Sequence, residues 1–453
     1  MEKELPNRWV ETKLELATDI LDNLRKPINS TERGARTGNI PYYGATGQAG
    51  WIDDYIFNEE LVLLGEDGAP FLDKSKNVAY QIKGKSWVNN HAHVLKAKDN
   101  VSTNRFLLYF LNQFDYKDFV GGTTRLKLTQ SDLRNIPVPL PPLPEQQRIV
   151  AKLDTLFGQL DRIKTSMERI PQLLKDFRQK VLTQAVTGKL TEEWREERGI
   201  VERWETTALD SICEKTRGIS YGVIKLGESD KNGVPCMRTS DVKPLHIDTS
   251  SVKRISKSIS DNYKRTILKG NEVLVNIRGT LGGIAAVSDD FVGWNVSREI
   301  ATVPILDSIN QKYIAVFIAS TESQDWLNVV AKGIAYTGIN LADLRNLPVR
   351  LPKSEEQNEI VRRVESLFAK ADQIEASCQK LKAKIEQLPQ ALLAKAFRGE
   401  LVEQLPTDGD ASDLLEQIKK AKAGLEKGGK SKKLGKEVPV RMAAEGKVRY
   451  GKK

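Results

Sequence analysis

The chain contains a tandem duplication, and this feature constrains its fold more than any other. Two stretches of nearly sixty residues match without a gap, and each residue of the second lies 211 positions after its counterpart. They begin at Asp132 and Asp343 and end at Gly188-Lys189-Leu190 and Gly399-Glu400-Leu401. Because a repeated sequence predicts a repeated structural unit, the second copy should form what the first copy forms.

Both copies carry the heptad pattern of a long helix that packs against another helix. Apolar residues alternate at spacings of four and three, which places them at the a and d positions of a coiled coil. In the first copy these are Ile149, Leu153, Leu156, Leu160, Ile163, Met167, Ile170, Leu174, Phe177 and Val181. In the second copy they are Ile360, Val364, Leu367, Ala371, Ile374, Cys378, Leu381, Ile385, Leu388 and Leu392. Since each seam needs an apolar partner, the simplest solution packs the two helices on each other, antiparallel.

Prolines and glycines refine this prediction. Pro171 and Pro389 each remove a backbone donor, so we expect them to kink or interrupt their helices, although they do not occupy equivalent positions. Gly188 and Gly399 are equivalent, and both suit the left-handed conformation that ends a helix.

The segment ahead of each helix predicts a globular domain. The first contains a strand pattern at 60–64 and an apolar helix pattern at 106–114; the second has strands at 273–277 and 284–287 and a helix near 314–318. We therefore predict a globular domain at 1–131, a helical region at 132–201, a second globular domain at 202–342, a second helical region at 343–405 and a basic flexible tail at 406–453. The predicted fold class is two α/β (α+β) domains joined by two long antiparallel coiled-coil helices, with pseudo-twofold symmetry.

Composition narrows the class of protein. The chain has 453 residues, 40% of them hydrophobic, and it lacks the run of roughly eighteen apolar residues that a membrane span requires. Charged residues throughout 1–22 argue against a secretory signal, and three cysteines without paired spacing argue against disulfides and structural zinc. We expect a cytoplasmic protein. A net charge of +10 favours a polyanionic partner.

Two kinds of segment are candidates for DNA contact. Strand alternation groups Asn276 with Arg278, and Asn89 with His91, and Asn and Arg can each present two hydrogen bonds to a base edge. A polar strand face that is simply solvated is the competing interpretation. Two histidines on one strand, His91 and His93, do not make a metal site without further ligands nearby in sequence, so we predict none.

Gly- and Thr-rich turns ahead of both helices are better suited to phosphate contact, because they combine exposed N–H groups, hydroxyls and cations. A plain loop is the alternative. With a cationic cluster in the second domain and an aromatic turn at 40–51 in the first, the candidate DNA-binding residues are Tyr43, Thr46, Asn89, His91, Thr123, Thr124, Arg125, Lys127, Arg217, Tyr221, Arg238, Asn276, Arg278, Tyr336 and Thr337.

Motifs for catalysis are absent from the sequence. The sequence has neither the glycine-rich methyl-donor loop nor the [DNS]PP[YFW] motif of a DNA methyltransferase, and it has no HExxH motif. A match to the phosphate-loop pattern at 424–431 follows a polar helix pattern rather than a strand, which argues against nucleotide binding. We predict that the chain is not an enzyme.

Three segments carry a resemblance to a known family. Residues 135–150 (NIPVPLPPLPEQQRIV), 359–369 (EIVRRVESLFA) and 394–401 (AKAFRGEL) resemble the conserved helical regions of the specificity subunit of type I restriction-modification systems. The resemblance covers essentially the whole chain before the tail. Residues 40–51 and 89–93 are similar to one recurrent class of that family's target recognition domains.

The resemblance implies a function and a set of partners. Each recognition domain would read one half of a split double-stranded DNA site, while two methyltransferase subunits dock on the helical regions and restriction subunits join them. S-adenosylmethionine, ATP and magnesium would belong to those partners, and this chain would need no cofactor. The residues that the family's helical regions suggest for docking are Glu145, Gln146, Arg148, Glu356, Gln357 and Arg362. An architectural coiled-coil DNA-binding protein is the alternative, although it does not account for two dissimilar globular domains.

Overall fold

The computed structural model describes residues 5–331, 338–416 and 418–419. The chain divides into two compact units. Unit 1 contains Met1–Ile163 and Ala383–Lys453, and unit 2 contains Lys164–Lys382.

The globular part of unit 1 is built on two four-stranded sheets. Its strands are β1 (Val10–Lys13), β2 (Thr18–Ile20), β3 (Ile40–Gly44), β4 (Gly47–Ile52), β5 (Phe57–Asn58), β6 (Leu61–Gly65), β7 (Ala79–Ile82), β8 (Lys85–Val88), β9 (Ala92–Ala97), β10 (Val120–Gly121), β11 (Lys127–Leu128) and β12 (Pro137–Leu140). Its helices are α1 (Leu14–Ala17), α2 (Ser30–Ala35), α3 (Asn104–Gln113) and α4 (Gln130–Asn135). The sheets have the orders β2-β9-β6-β7 and β4-β3-β8-β5, while β1 pairs with β12 and β10 with β11.

Two long helices follow: α5 (Leu143–Glu168) and α6 (Ile170–Val186), and then the short α7 (Glu192–Glu197). The strands of unit 2 are β13 (Glu205–Ala208), β14 (Ser220–Tyr221), β15 (Val234–Met237), β16 (Val242–Lys243), β17 (His246–Ile247), β18 (Lys253–Ile255), β19 (Glu272–Asn276), β20 (Ile284–Ala286), β21 (Asn295–Val296), β22 (Ile300–Pro304) and β23 (Pro348–Leu351). The remaining helices are α8 (Lys257–Asp261), α9 (Gln311–Ala319), α10 (Thr321–Ala331), α11 (Leu341–Arg345) and α12 (Ser354–Ala396).

The main sheet of unit 2 repeats that of unit 1. Its order β14-β22-β19-β20 corresponds to β2-β9-β6-β7, and every neighbouring pair in both sheets is antiparallel. The central strands β6 and β19 begin at Leu61 and Glu272, which differ by the same 211 positions as the helical copies. The duplication therefore extends into the globular domains, where the two sequences are otherwise dissimilar.

The long helices contribute to both cores. In unit 1, Ile149 and Leu153 near the start of α5 pack with Leu393 and Ala396 at the end of α12. In unit 2, the end of α6 packs with the start of α12, and Arg178 of α6 forms ion pairs with Asp372 and Glu375 of α12 at 2.6 and 3.0 Å. Each unit thus contains one antiparallel helix pair, as predicted.

The a positions of the heptads form the buried seam, and several d positions do not. Leu153, Leu160, Leu174 and Val181 are buried, as are Val364, Ala371 and Ile385, whereas Ile163, Phe177, Ile374, Leu381 and Leu388 are exposed. The two helices therefore pack on each other as expected, but only part of each seam is buried. Each unit keeps exposed apolar residues at d positions.

The two prolines behave differently. The first helix is interrupted at Arg169, and Pro171 lies in the first turn of α6, where its missing N–H costs no hydrogen bond. Pro389 lies inside α12, which continues from Ser354 to Ala396 as one helix. Gly188 and Gly399 adopt the left-handed conformation, with φ of +78° and +73°, as expected at helix ends.

The first residues beyond 405 are part of unit 1. Pro406–Asp408 forms a 3₁₀ turn, and the carboxylate of Asp408 accepts two hydrogen bonds of 2.6 Å from the guanidinium of Arg148. Ala411 is buried and donates its backbone N–H to the carbonyl of Arg8. The greater part of the predicted tail, 420–453, and with it the pattern at 424–431, lies outside the described residues.

Candidate nucleic-acid interface

One end of unit 1 collects most of the candidate DNA-binding residues of the first domain. Strand β3 and the turn between β8 and β9 are joined because the backbone N–H of Asn89 donates to the carbonyl of Tyr43 at 3.1 Å. Within that turn the Asn89 side chain accepts a hydrogen bond of 2.8 Å from the N–H of His91. The carbonyl of His91 in turn accepts from the N–H of Glu66, directly after β6. Exposed Thr46 lies in the β3–β4 turn of the same sheet.

The β10–β11 hairpin is attached to the same end of β6. Its tip carries Thr123, Thr124 and Arg125, all exposed. Lys127 in β11 lies 3.2 Å from the Glu66 carboxylate, and Leu128 donates its N–H to the carbonyl of Glu66. The hairpin therefore presents hydroxyls and cations at its tip, while an ion pair and a backbone hydrogen bond attach its other end to Glu66.

His93 supports this base from inside. The prediction that Asn89 and His91 share one face of a strand is wrong, because β8 ends at Val88, β9 begins at Ala92, and both residues lie in the turn between them. His93 is fully buried, with Nδ1 at 2.6 Å from the Asp22 carboxylate and Nε2 at 3.0 Å from the carbonyl of Leu128. Burial opposes ionisation of Asp22, but its contact with His93 holds the pKa of that carboxyl below its usual value.

Asp22, Glu66 and His93 lie close enough together to hold one metal ion. However, Glu66 forms ion pairs with Arg25 at 2.7 Å and with Lys127 at 3.2 Å. Because these cations already balance the carboxylates, we interpret the cluster as an internal ion-pair network that anchors the hairpin.

In unit 2 three candidates are accessible. Arg278 follows β19, is exposed, and has no side-chain hydrogen bond or ion pair to any residue that the structure describes. Tyr221 at the end of β14 is 49% exposed. Arg238 is partly exposed and donates to the carbonyl of Ser251 at 2.6 Å. Tyr336 and Thr337 lie outside the described residues.

Two candidates of the second domain are structural residues, so their prediction as ligand contacts is wrong. Asn276 is 1% exposed, because β19 is buried on both faces, and its amide donates to the carbonyls of Thr239, Val242 and Thr280. The Arg217 side chain is 8% exposed and pairs with the buried Glu272 at 2.5 Å. Asn276 thus holds together the loops on either side of Arg278 instead of facing a ligand itself.

The predicted docking residues of the helical regions are also mostly internal. Glu145 is buried and accepts a hydrogen bond of 3.1 Å from the indole of Trp9, and Gln146 is buried and donates to the carbonyls of Val101 and Pro141. These contacts join the helix to the globular domain, so a partner chain cannot reach these side chains.

The second copy repeats this arrangement. Glu356 accepts from Trp204 and Arg195, and Gln357 donates to the carbonyl of Pro352. Of the six docking candidates only Arg362 is mostly exposed, and it pairs with Glu359 at 2.7 Å. That hydrogen bond lowers the pKa of Glu359 to about 2.

The accessible feature of the helices is apolar. In unit 2 a groove of about 490 Å³ is lined by Lys370, Gln373, Ile374, Ser377, Cys378 and Leu381, and Ile374 and Leu381 are nearly half exposed. In unit 1 the d residues Ile163 and Leu388 are exposed as well. These residues were recognised as heptad positions from sequence, but their exposure was not expected. Within the described residues no helix is long and apolar enough to span a membrane.

The model of the type I restriction modification DNA specificity domain matches this chain twice, at residues 6–172 and 201–387. The chain belongs to the type I restriction-modification specificity family. The specificity subunit of the type I restriction enzyme EcoBI from Escherichia coli is 39% identical over 391 residues, which cover 82% of this chain and 81% of that protein. The EcoKI specificity subunit of Escherichia coli strain K12 is 33% identical over 70% of this chain and 72% of its own length.

Solved structures support the same fold. The crystal structure of the HsdS subunit from Thermoanaerobacter tengcongensis has a TM-score of 0.58 at 18% identity, with 88% of this chain and 99% of that chain covered. The family assignment and the two-domain, two-helix fold are therefore both confirmed. As a specificity subunit, the chain is a non-catalytic component of its system, as its sequence motifs indicated.

Proposed function

We propose that the ends of β6 and β19, with the segments that pair with them, are the DNA-contacting surfaces of this specificity subunit. The subunit reads a bipartite double-stranded DNA site with its two recognition domains. Chemistry on the DNA belongs to its partners: methyltransferase subunits use S-adenosylmethionine, and restriction subunits cleave. We place the protein in the cytoplasm, where it meets its DNA.

The grouping of side chains at the end of β6 carries the proposal for the first domain. One hairpin carries four exposed residues: Thr123, Thr124, Arg125 and Lys127. His91, which is half-buried, lies beside this hairpin. Thr hydroxyls and Lys suit phosphate oxygens, whereas Arg can also donate two parallel hydrogen bonds to a base edge. In the second domain the exposed Arg278 and Tyr221 and the partly exposed Arg238 take the corresponding roles.

Exchange of the first domain tests the division of labour. Residues 1–131 would be replaced by the first domain of another family member, and the complete system would be used to map methylated sites in a genome. We expect one half-site to change while the other stays the same. A change in both half-sites would contradict the modular assignment, and an unchanged site would contradict DNA reading by this domain.

Methyltransferase subunits dock, we propose, on the exposed d positions of the helices. An apolar groove on a helix accommodates the apolar face of a further helix, and the residues that line it carry most of the binding energy. In unit 2 the groove around Ile374 and Leu381 is such a surface. Its lining is mainly apolar apart from Lys370 and small polar groups, so desolvation of charge opposes docking little.

Charge placed in the groove tests this surface. Ile374→Lys and Leu381→Lys should each weaken binding of the methyltransferase subunit by at least about tenfold, because a lysine cannot be buried there without a partner. Gln379→Lys is the matched control, since it adds the same charge at an exposed position of α12 outside the groove. Analytical ultracentrifugation of the mixed subunits measures the affinity. An equal loss with Gln379→Lys would show that charge, not the groove, matters.

A further inference from the structure

Asp67, the second residue after β6, holds two side chains of the candidate interface. Its Oδ1 accepts a hydrogen bond from Nη2 of Arg125 at 2.8 Å and lies 2.7 Å from Nδ1 of His91. The Asp67 side chain is only 21% exposed, whereas that of Arg125 is 60% exposed. A mostly buried carboxylate thus fixes one edge of an exposed guanidinium.

Gly68 supplies the second contact for the same guanidinium. A Cβ atom at this position would lie 2.9 Å from Nε and 3.5 Å from Cζ of Arg125. The φ of Gly68 is +69°, a conformation that L side chains rarely adopt. The guanidinium therefore packs directly against the backbone of Gly68, and any side chain at position 68 would displace it.

The second domain also has an arginine at this place, but there it follows the central strand β19 and does not belong to the segment that pairs with that strand. Asp67 and Lys127 form an antiparallel bridge, and 211 positions later Arg278 and Gly338 form the same bridge. The adjoining hydrogen bond is also repeated, from Leu128 to Glu66 at 2.8 Å and from Ile339 to Ile277 at 2.9 Å.

The backbones at these places correspond, but the side chains do not. In unit 1 the strand contributes an acid, and the hairpin contributes Arg125. In unit 2 the strand itself contributes Arg278, whose side chain lies against Gly338 with Cγ at 3.3 Å from the position of a Cβ. Both domains therefore place one exposed guanidinium beside the end of the central strand.

We propose that Arg125 reads a guanine in the half-site of the first domain, and that Asp67 is the residue that positions it. This rests on the proposed function of that domain in DNA recognition. A guanidinium can donate two parallel hydrogen bonds to O6 and N7 of guanine, which requires its plane to be fixed. A phosphate contact needs only a positive charge, as Lys127 provides, and gains little from such fixation.

Arg125→Lys separates these two roles, because lysine keeps the charge and loses the planar fork. The complete methyltransferase complex would be assayed on duplexes in which each base pair of the half-site is varied in turn. We expect Arg125→Lys to lower discrimination at a single G·C pair by roughly 5- to 150-fold, the worth of a bidentate contact. Thr123→Val, the control at the same hairpin tip, removes an exposed hydroxyl suited to phosphate and should weaken binding to all of these duplexes alike.

Asp67→Asn tests the positioning role. It keeps the size and acceptor oxygen of the side chain but removes the charge, so discrimination at the same base pair should fall by less than with Arg125→Lys, while unfolding and discrimination at the second half-site stay unchanged. Loss of discrimination at several base pairs, or a uniform loss of affinity with Arg125→Lys, would overturn the proposal. Exchange of residues 1–131 distinguishes failure of the Arg125 proposal from failure of the proposed function. If that exchange changes the half-site while Arg125→Lys does not, only the assignment of Arg125 fails.

Discussion

Glu145 and Glu356 occupy equivalent positions in the duplication, but only Glu356 forms an ion pair with an arginine. The two glutamates can therefore serve as a matched test and control. Both are buried at the start of a long helix and accept a hydrogen bond from a tryptophan indole. Oε1 of Glu356 additionally accepts from Arg195 at 2.5 Å and from Thr191 at 2.7 Å. Oε1 of Glu145 has no hydrogen-bond partner in the described part of the chain.

The expected effects of removing the charge follow from these contacts. Breaking a buried ion pair by neutralising one partner costs about 3–5 kcal/mol, and since Arg195 is 20% exposed we expect about 2–4 kcal/mol for Glu356→Gln. Burial raises the pKa of Glu145, so its ionised form is less favoured in the folded protein than in the unfolded chain. Glu145→Gln should therefore change stability by no more than about 1 kcal/mol, in the stabilising direction at neutral pH.

The same reasoning predicts a pH dependence. For an acid whose folded pKa is raised, the folded state binds more protons between the unfolded and folded pKa values, so stability falls as pH rises through that window. The window begins near the ordinary value of 4.5 and extends upward. Glu145→Gln should remove this slope from unit 1, whereas Glu356→Gln should leave unit 1 unaffected.

Hydrogen exchange followed by mass spectrometry measures the two units separately in one chain. Peptides that contain β1 and β13 report on the strands that directly follow Trp9 and Trp204. We expect faster exchange in the β13 peptide of Glu356→Gln and unchanged or slower exchange in the β1 peptide of Glu145→Gln at pH 7. If both substitutions accelerate exchange equally, the difference between the two carboxylates is not real and the reasoning is refuted.

Three further substitutions separate structural roles from DNA reading. Arg217→Ala leaves the buried Glu272 unpaired and should destabilise unit 2 by about 3–5 kcal/mol in urea unfolding, without a change in base preference among the molecules that remain folded. Asn276→Ala removes a buried amide that bonds three carbonyls and should cost about 1–3 kcal/mol, with loss of discrimination confined to the second half-site in methylation assays. Asp408→Ala removes the bidentate partner of Arg148 and should accelerate proteolysis after residue 400 while DNA binding stays unchanged, because the contact lies at the base of α5.

The parts of the fold that the sequence predicted are those with a repeated or periodic signal. The strand pattern at 60–64 corresponds to β6 and that at 273–277 to β19, each within one residue, and α6 and α12 end just before Gly188 and Gly399, as expected. Period and duplication are local or internal to the chain, so no knowledge of tertiary packing is needed to recognise them.

The errors arise where tertiary packing decides. Alternation along 273–278 placed Asn276 on an open face, but the buried cluster of Met237, Val242 and Leu274 covers that face of β19. Glu145 and Arg217 carry charges that usually lie at a surface, and only the fold reveals the tryptophan and the carboxylate that hold them inside.

The internal repeat also explains why the β6 end is suited to change. The backbone bridge between Asp67 and Lys127 recurs between Arg278 and Gly338, so this geometry does not depend on which side chains are present. Arg125 and Arg278 are exposed, and replacing an exposed side chain seldom costs more than about 0.5 kcal/mol of folding stability. Recognition can therefore change at this position while the sheet and the helices stay intact. His93, Asn276 and Glu356 cannot vary in this way, because each completes a buried network. DNA specificity should thus depend on side chains that differ between the two copies at a backbone position that both copies share.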